Sequence, residues 1–196
     1  MGKIFFVMGK SSSGKDTIYK ELLKDKKLKL KTIVPYTTRP MREGETDGKE
    51  YFFVSEDTMK QMDAEGNIIE LRSYDTIYGI WNYFTANDGQ VDLDSNSYIM
   101  IGTLESYSKI KAFYGEDNVF PIYINVNNGE RLRRAMAREE KEKVPKYDEM
   151  CRRFLADEKD FSDEKIKENA ISKFYENNDL LICINEIKND IILHVR

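Results

Sequence analysis

Cysteine and histidine are nearly absent from this chain. The two cysteines, Cys151 and Cys183, have neither the spacing of a metal site nor the density of a secreted disulfide scaffold, which fits a reduced cytoplasmic setting. The single histidine, His194, lies two residues from the last one and argues against chemistry built on a histidine acid or base. Long apolar runs are missing as well. In the N-terminal stretch MGKIFFVMGK the run covers only Ile4 to Met8, far short of a signal sequence or of the roughly 20 residues that span a bilayer. Nor is there an excess of one charge. With 31 Lys and Arg against 35 Asp and Glu, the net charge is -4, unlike the broad basic surface of a nucleic-acid binder. Any polyanion site must be local, and neither nucleic acid nor membrane is an expected partner.

What is present supports one globular unit: 196 residues, 40% of them hydrophobic, with no internal repeat and no low-complexity linker. The run Ile4 to Met8 is continuous rather than alternating, as in a central parallel strand covered on both faces. A helix with Ile18, Leu22 and Leu23 on its inner face should follow. The lysine-rich stretch 24 to 31 suits a solvated helix end and is assigned no function. From 35 to 85 the composition turns polar and aromatic, with turn signals at Glu43-Gly44 and Asp47-Gly48, consistent with a small β-rich lobe. Strands are predicted at 97 to 103, 120 to 126 and 180 to 185. Helices are predicted at 104 to 114, 129 to 142, 148 to 160 and 163 to 177. The alternation predicts an α/β fold with a mostly parallel sheet.

Residues 9 to 17, GKSSSGKDT, follow the first strand and open the first helix, the context that gives the pattern G-x-x-x-x-G-K-[ST] its physical meaning. Gly9 and the small residues Ser11, Ser12, Ser13 and Gly14 let successive backbone N–H groups converge on phosphate oxygens at a helix N-terminus. Lys15 would reach the β- and γ-phosphates. Asp16 stands where the pattern asks for a hydroxyl, and a carboxylate beside phosphates repels them unless Mg²⁺ lies between. Asp16 is therefore expected to be the metal ligand, with Thr17 a hydroxyl one residue out of register.

A second anion site is suggested by TTRPMREGETDGKEYFFV (37 to 54). Arg39, Arg42 and Tyr51 could clamp a phosphate there, since planar Arg forks match its oxygens in pairs. This segment resembles the nucleoside-monophosphate-binding segment of guanylate kinases, T-T-R-x-x-R-x-G-E-x-x-G-x-x-Y-x-F, and all nine specified letters agree. The resemblance continues in family order through IIEL (68 to 71), the pair Tyr78-Gly79, RLRRAMAR (131 to 138), CRRFLADEKDF (151 to 161) and NDLLICIN (178 to 185). It implies a phosphate-loop three-layer α/β fold with a core over 1 to 34, 86 to 128 and 160 to 196. A monophosphate lobe would span 35 to 85 and a lid 129 to 159. It implies ATP and a nucleoside monophosphate, GMP first, as substrates, with Mg²⁺ and a monomer or homodimer. By the same resemblance Arg39, Arg42 and Tyr51 hold the acceptor phosphate, Glu70 and Tyr78 lie around its base and phosphate, Arg134, Arg138 and Arg153 close over the triphosphate, and Asn185 sits at the adenine.

The departures cluster on the base. Pro35 stands where the family has a serine, Ile80 follows Tyr78-Gly79 where it has Ser or Thr, and Ile101, Gly102 and Thr103 replace a D-I-D strand end. Losing such groups should relax selectivity. Open alternatives at this point are a kinase of another nucleoside monophosphate or phosphorylated small molecule, and a non-catalytic guanylate-kinase-like module. Lys15 and the lid arginines argue against the module.

Overall fold

A computed structural model describes residues 1 to 76 and 78 to 195. In chain order the elements are β1 (Ile4–Met8), α1 (Lys15–Lys24), β2 (Leu30–Thr32), β3 (Tyr36–Thr37), β4 (Phe52–Phe53), α2 (Glu56–Ala64), β5 (Ile68–Thr76) and β6 (Gly79–Ala86). Then follow β7 (Ser97–Ile101), α3 (Leu104–Tyr114), β8 (Val119–Asn125), α4 (Asn128–Glu139), α5 (Tyr147–Asp160), α6 (Asp163–Glu168), β9 (Phe174–Glu176) and α7 (Leu180–Val195).

The main sheet has the order β2-β7-β1-β8-β9, and all its pairings are parallel. Its central strand is apolar throughout because both faces are covered, and successive side chains part company at the pleat. Ile4, Phe6 and Met8 pack with Leu104, Tyr107 and Ile110 of α3. Phe5 and Val7 pack with Ile18 and Leu22 of α1 and with Cys183, Ile184, Ile187 and Ile191 of α7. Fully burying side chains of this size contributes about 1.5–3 kcal/mol each. A second, four-stranded sheet has the order β4-β3-β6-β5, and its long β5–β6 hairpin packs against α3. No helix among the described residues is long and apolar enough to cross a membrane.

Two expected elements differ. Residues 180 to 185, predicted as a strand, begin the helix α7, whose buried residues 183, 184, 187 and 191 follow the helical period. A short apolar run cannot be told from a helix face by composition. Asp179 starts this helix by accepting hydrogen bonds from the backbone N–H groups of Leu181 and Ile182. The helix predicted over 163 to 177 stops after Glu168, and Ala170 takes a positive φ of 55°. The chain then forms the edge strand β9, whose Tyr175 is buried against β8.

Candidate active site

The loop after β1 is shaped by two glycines whose backbones touch neighbours. A Cβ on Gly9 would lie 2.5 Å from the Ile124 carbonyl oxygen, and one on Gly14, at φ +86°, would lie 2.4 Å from the Asn177 amide nitrogen. That amide is buried and donates to the Ser13 carbonyl at 2.7 Å. The hydroxyls of Ser12 and Ser13 are buried with no hydrogen-bond partner. Helix α1 starts after Gly14 without a side-chain cap, so among the described residues no cap side chain satisfies its first N–H groups. Unpaired hydroxyls beside uncapped amides and the positive end of a helix dipole form an anion cradle.

The first half of the loop is tied down differently. The Ser11 N–H donates to Asp157 at 2.8 Å, and its carbonyl accepts from the Arg131 Nε at 3.0 Å. Arg131 is 1% exposed, bonds Asp157, Glu158 and Asn128, and lies over the Phe154 ring. Lys10 completes the group with Glu158 at 2.8 Å. Ser11, expected at ATP, thus has its N–H engaged by α5.

Lys15 and Asp16 border a cleft of about 950 Å³ between the two sheets, together with Arg42, Tyr51, Arg72 and Thr103. The Lys15 Nζ lies 4.0 Å from the Asp16 carboxylate, whose side chain is 76% exposed. Thr17 is exposed outside the residues lining this cleft. Among the described residues no three His, Cys, Asp or Glu side chains converge as a metal cage. Asp16 offers an exposed hard oxygen beside the loop, which matches a Mg²⁺ ion that takes one or two carboxylates from protein and the rest from phosphates and water.

On the small sheet, Arg42 and Tyr51 reach the cleft and Arg39 does not line it. Arg39 is buried, forks onto Glu45 with one bond of 2.7 Å, and lies 5.1 Å from the centre of the Tyr51 ring. The Arg39 hydrogen bond pulls the Glu45 carboxyl down to about 2. Burial raises the Tyr51 phenol, which keeps it a hydrogen-bond donor. Tyr78 is 77% exposed and stacks on Trp81 with centroids 6.0 Å apart. With the exposed Ile80 it lines a shallow groove beside Pro40 instead of the cleft, so neither expected acceptor contact is brought to the site here. Thr103 borders the cleft, but its hydroxyl caps α3 in a mutual arrangement with Ser106. A Cβ on Gly102 would meet the Ser106 Oγ at 2.6 Å and Phe6 at 2.7 Å, so the middle position of this strand end has no room for a side chain.

Arg134 bonds Glu130 and the Asn177 carbonyl, both at 2.9 Å, next to Gly14. Arg138 is half exposed, 3.8 Å from Glu139. Arg153 lines the cleft and bonds Glu149 at 2.7 Å. Arg152 grips the same carboxylate, and the hydrogen bonds from Arg152 and then Arg153 pull Glu149 down to about 2. Asn185 lies on the exposed face of α7, and the asparagine beside the loop is Asn177 at the end of β9. That placement corrects the expected adenine contact, which rested on reading 180 to 185 as a strand.

Several site residues were missed. Glu149 precedes Arg152 and Arg153 by the helical spacing of three and four, and Arg72 follows Glu70 by the two residues that share a strand face, so both were legible signals. Arg131, Asp157 and Asn177 carry no such signal for the loop, because the loop residues they bond are more than 100 residues away in sequence.

A phosphate cradle at the end of a central parallel strand, facing arginines on a small sheet across one cleft, defines an α/β protein of the phosphate-loop kinase fold. A family model described as Guanylate kinase matches residues 1–182, and the chain belongs to the guanylate kinase family. It is similar to the guanylate kinases of Clostridioides difficile, 43% identical over 79 residues, and Caldanaerobacter subterraneus subsp. tengcongensis, 35% identical over 133 residues. These matches cover 40% and 67% of this chain and span 38% and 62% of the relatives' lengths. A third relative, the guanylate kinase of Mycoplasma mobile, is 33% identical over 129 residues, covering 64% of this chain and 61% of the relative. The crystal structure of guanylate kinase from Anaplasma phagocytophilum shares the fold at a TM-score of 0.67 with 19% identity, over 99% of this chain and 86% of that one.

Proposed function

We propose that the chain transfers the γ-phosphoryl group of ATP to GMP, forming ADP and GDP, in the cytoplasm. The observation that carries this reading is the shared cleft, which is bordered by Lys15 of the phosphate loop and, from the other sheet, by Arg42 and Tyr51. The names of its relatives support it. It treats 35 to 85 as the acceptor lobe and 129 to 159 as the lid.

The chain's contribution is positioning and charge neutralisation, because both reacting groups are anions. The uncapped start of α1 and the Ser12 and Ser13 hydroxyls hold the donor phosphates, and Lys15 supplies a cation where negative charge develops. Arg42 and Tyr51 hold the acceptor phosphate in line. Arg153, with Arg152 beside it, approaches from α5, and the buried Arg131 fixes that helix to the loop. Arg39 stiffens the acceptor loop through Glu45. Arg134 and Arg138 stand on the lid helix toward the donor. Asp16 would hold a Mg²⁺ ion, which would supply neutralisation of the charge on the transferring group. Water is excluded as the lid arginines close. The test is ADP formation with ATP and Mg²⁺ against GMP, dGMP, AMP, UMP, CMP and sugar phosphates. Turnover that depends on GMP supports the reading, and an absence of acceptor-dependent ADP refutes it.

A further inference from the structure

Resting on the kinase reading above, we propose that Arg72 determines which base the acceptor may carry. The cleft would take 6-oxopurine monophosphates by their O6/N7 edge and be indifferent to the 2-amino group. The wall that would face the base is one side of the β5–β6 hairpin, where the cross-strand pairs are Glu70 with Thr85, Arg72 with Tyr83 and Tyr74 with Trp81. Glu70 was the group expected to read the base, yet its side chain is 1% exposed. Both carboxylate oxygens are engaged. The Arg72 Nε donates to Oε2 at 2.9 Å and its NH2 to Oε1 at 3.3 Å, while the Thr85 hydroxyl donates to Oε1 at 2.9 Å. Arg72 lies over this carboxylate, keeps 17% of its own side-chain surface and borders the cleft.

Arg72 also keeps donors to give. Among the described residues its NH1 makes no hydrogen bond, and its NH2 makes only the one to Glu70. Glu70 itself borders the cleft, so the wall offers paired N–H groups beside the carboxylate that the resemblance implied, whose oxygens are already engaged. A carboxylate matches the N1–H and 2-amino donors of guanine, whereas a guanidinium fork matches two acceptors, the O6 and N7 of guanine or hypoxanthine. Adenine puts an amino group at position 6 and meets the fork with a donor. Tyr74 and Trp81 supply the flat apolar surface beside it. Asp75 also borders the cleft, but it stands near the exposed hairpin tip, paired with Ile80. Ile80, the position from which the family would read O6, faces the groove outside the cleft, and Arg72 is a charged donor on the wall that would face that edge.

The deciding measurement is kcat/KM for GMP, IMP and AMP with the unaltered protein, together with calorimetric binding of each nucleotide in the absence of ATP. IMP is expected within about threefold of GMP, and AMP about 100-fold or more below both, as for a site whose polar group is left facing the wrong partner. The variant R72K keeps the charge and loses the fork. It should raise KM for GMP and IMP together by about tenfold while leaving KM for ATP unchanged. A preference for GMP over IMP of tenfold or more overturns the role of Arg72 even if turnover is brisk, and it needs no variant to fold. Equal binding of GMP and IMP without turnover overturns the kinase reading and leaves Arg72 in place. Binding of neither overturns both.

Discussion

The two ends of the cleft treat negative charge in opposite ways. At the donor loop the partners fix the backbone and leave the cradle open. Arg131, Asp157 and Asn177 hold Ser11 and Ser13, while among the described residues the buried Ser12 and Ser13 hydroxyls have no hydrogen-bond partner and α1 starts without a side-chain cap. At the acceptor side the arginines already hold carboxylates of the chain, Arg39 with Glu45, Arg72 with Glu70, and Arg152 and Arg153 with Glu149. A donor phosphate can enter a preorganised site. A phosphate that recruits Arg152 or Arg153 has to draw them from Glu149, so their engagement is coupled to a rearrangement on α5 that the loop itself does not need.

The largest effect that tests this contrast is removal of the donor-side cation. Lys15→Met should lower kcat by about 10²–10³-fold, as for loss of one preorganised group facing developing charge, with an unchanged melting temperature. A loss confined to KM would mean that Lys15 binds ground and transition states alike. Next in size is Asp16→Ala. With Asp16 as a metal ligand, turnover should fall about 10–100-fold at fixed Mg²⁺ and recover in part as Mg²⁺ is raised. An unchanged Mg²⁺ titration would remove Asp16 from the metal.

The acceptor side can be loosened without touching the donor loop. Glu45→Gln should leave the buried Arg39 poorly paired and destabilise the fold by about 1–2 kcal/mol in chemical denaturation, with little change in KM for ATP. It also carries a pH signature. The folded-state pKa of Glu45 is depressed from 4.5 to about 2, so its stabilisation is present above pH 4.5 and is lost as pH falls through about 2. Stability of the unaltered protein should drop across that window, and the variant should drop less steeply. Equal slopes would show that Glu45 is not held by Arg39 in solution.

What the sequence disclosed follows from locality. The donor loop and the segment 37 to 54 are contiguous, and small residues or arginines at fixed spacing carry their chemistry within a few residues. The alternation of strands and helices disclosed the parallel sheet for the same reason. Thr85 reaches Glu70 only from the neighbouring strand, and Asn177 reaches Ser13 only because the edge strand β9 pairs with β8. Those contacts are set by register and packing, which short motifs do not encode.

The smallest predicted effect tests one of the two elements that the sequence reading misplaced. LLICIN carries enough apolar residues for a strand, but its buried positions Cys183, Ile184 and Ile187 fit one face of a helix and turn Asn185 to the exposed side. Asn185→Ala should therefore change stability by no more than about 0.5 kcal/mol, as for surface substitutions away from any cap or network, and leave KM for ATP as it was. Asn177 is buried, donates to Ser13 and accepts from Arg134, so it binds the loop to α4 from a place that Asn185 does not share. A rise of KM for ATP in the Asn185 variant would return the adenine contact to α7 and reopen the assignment of that helix.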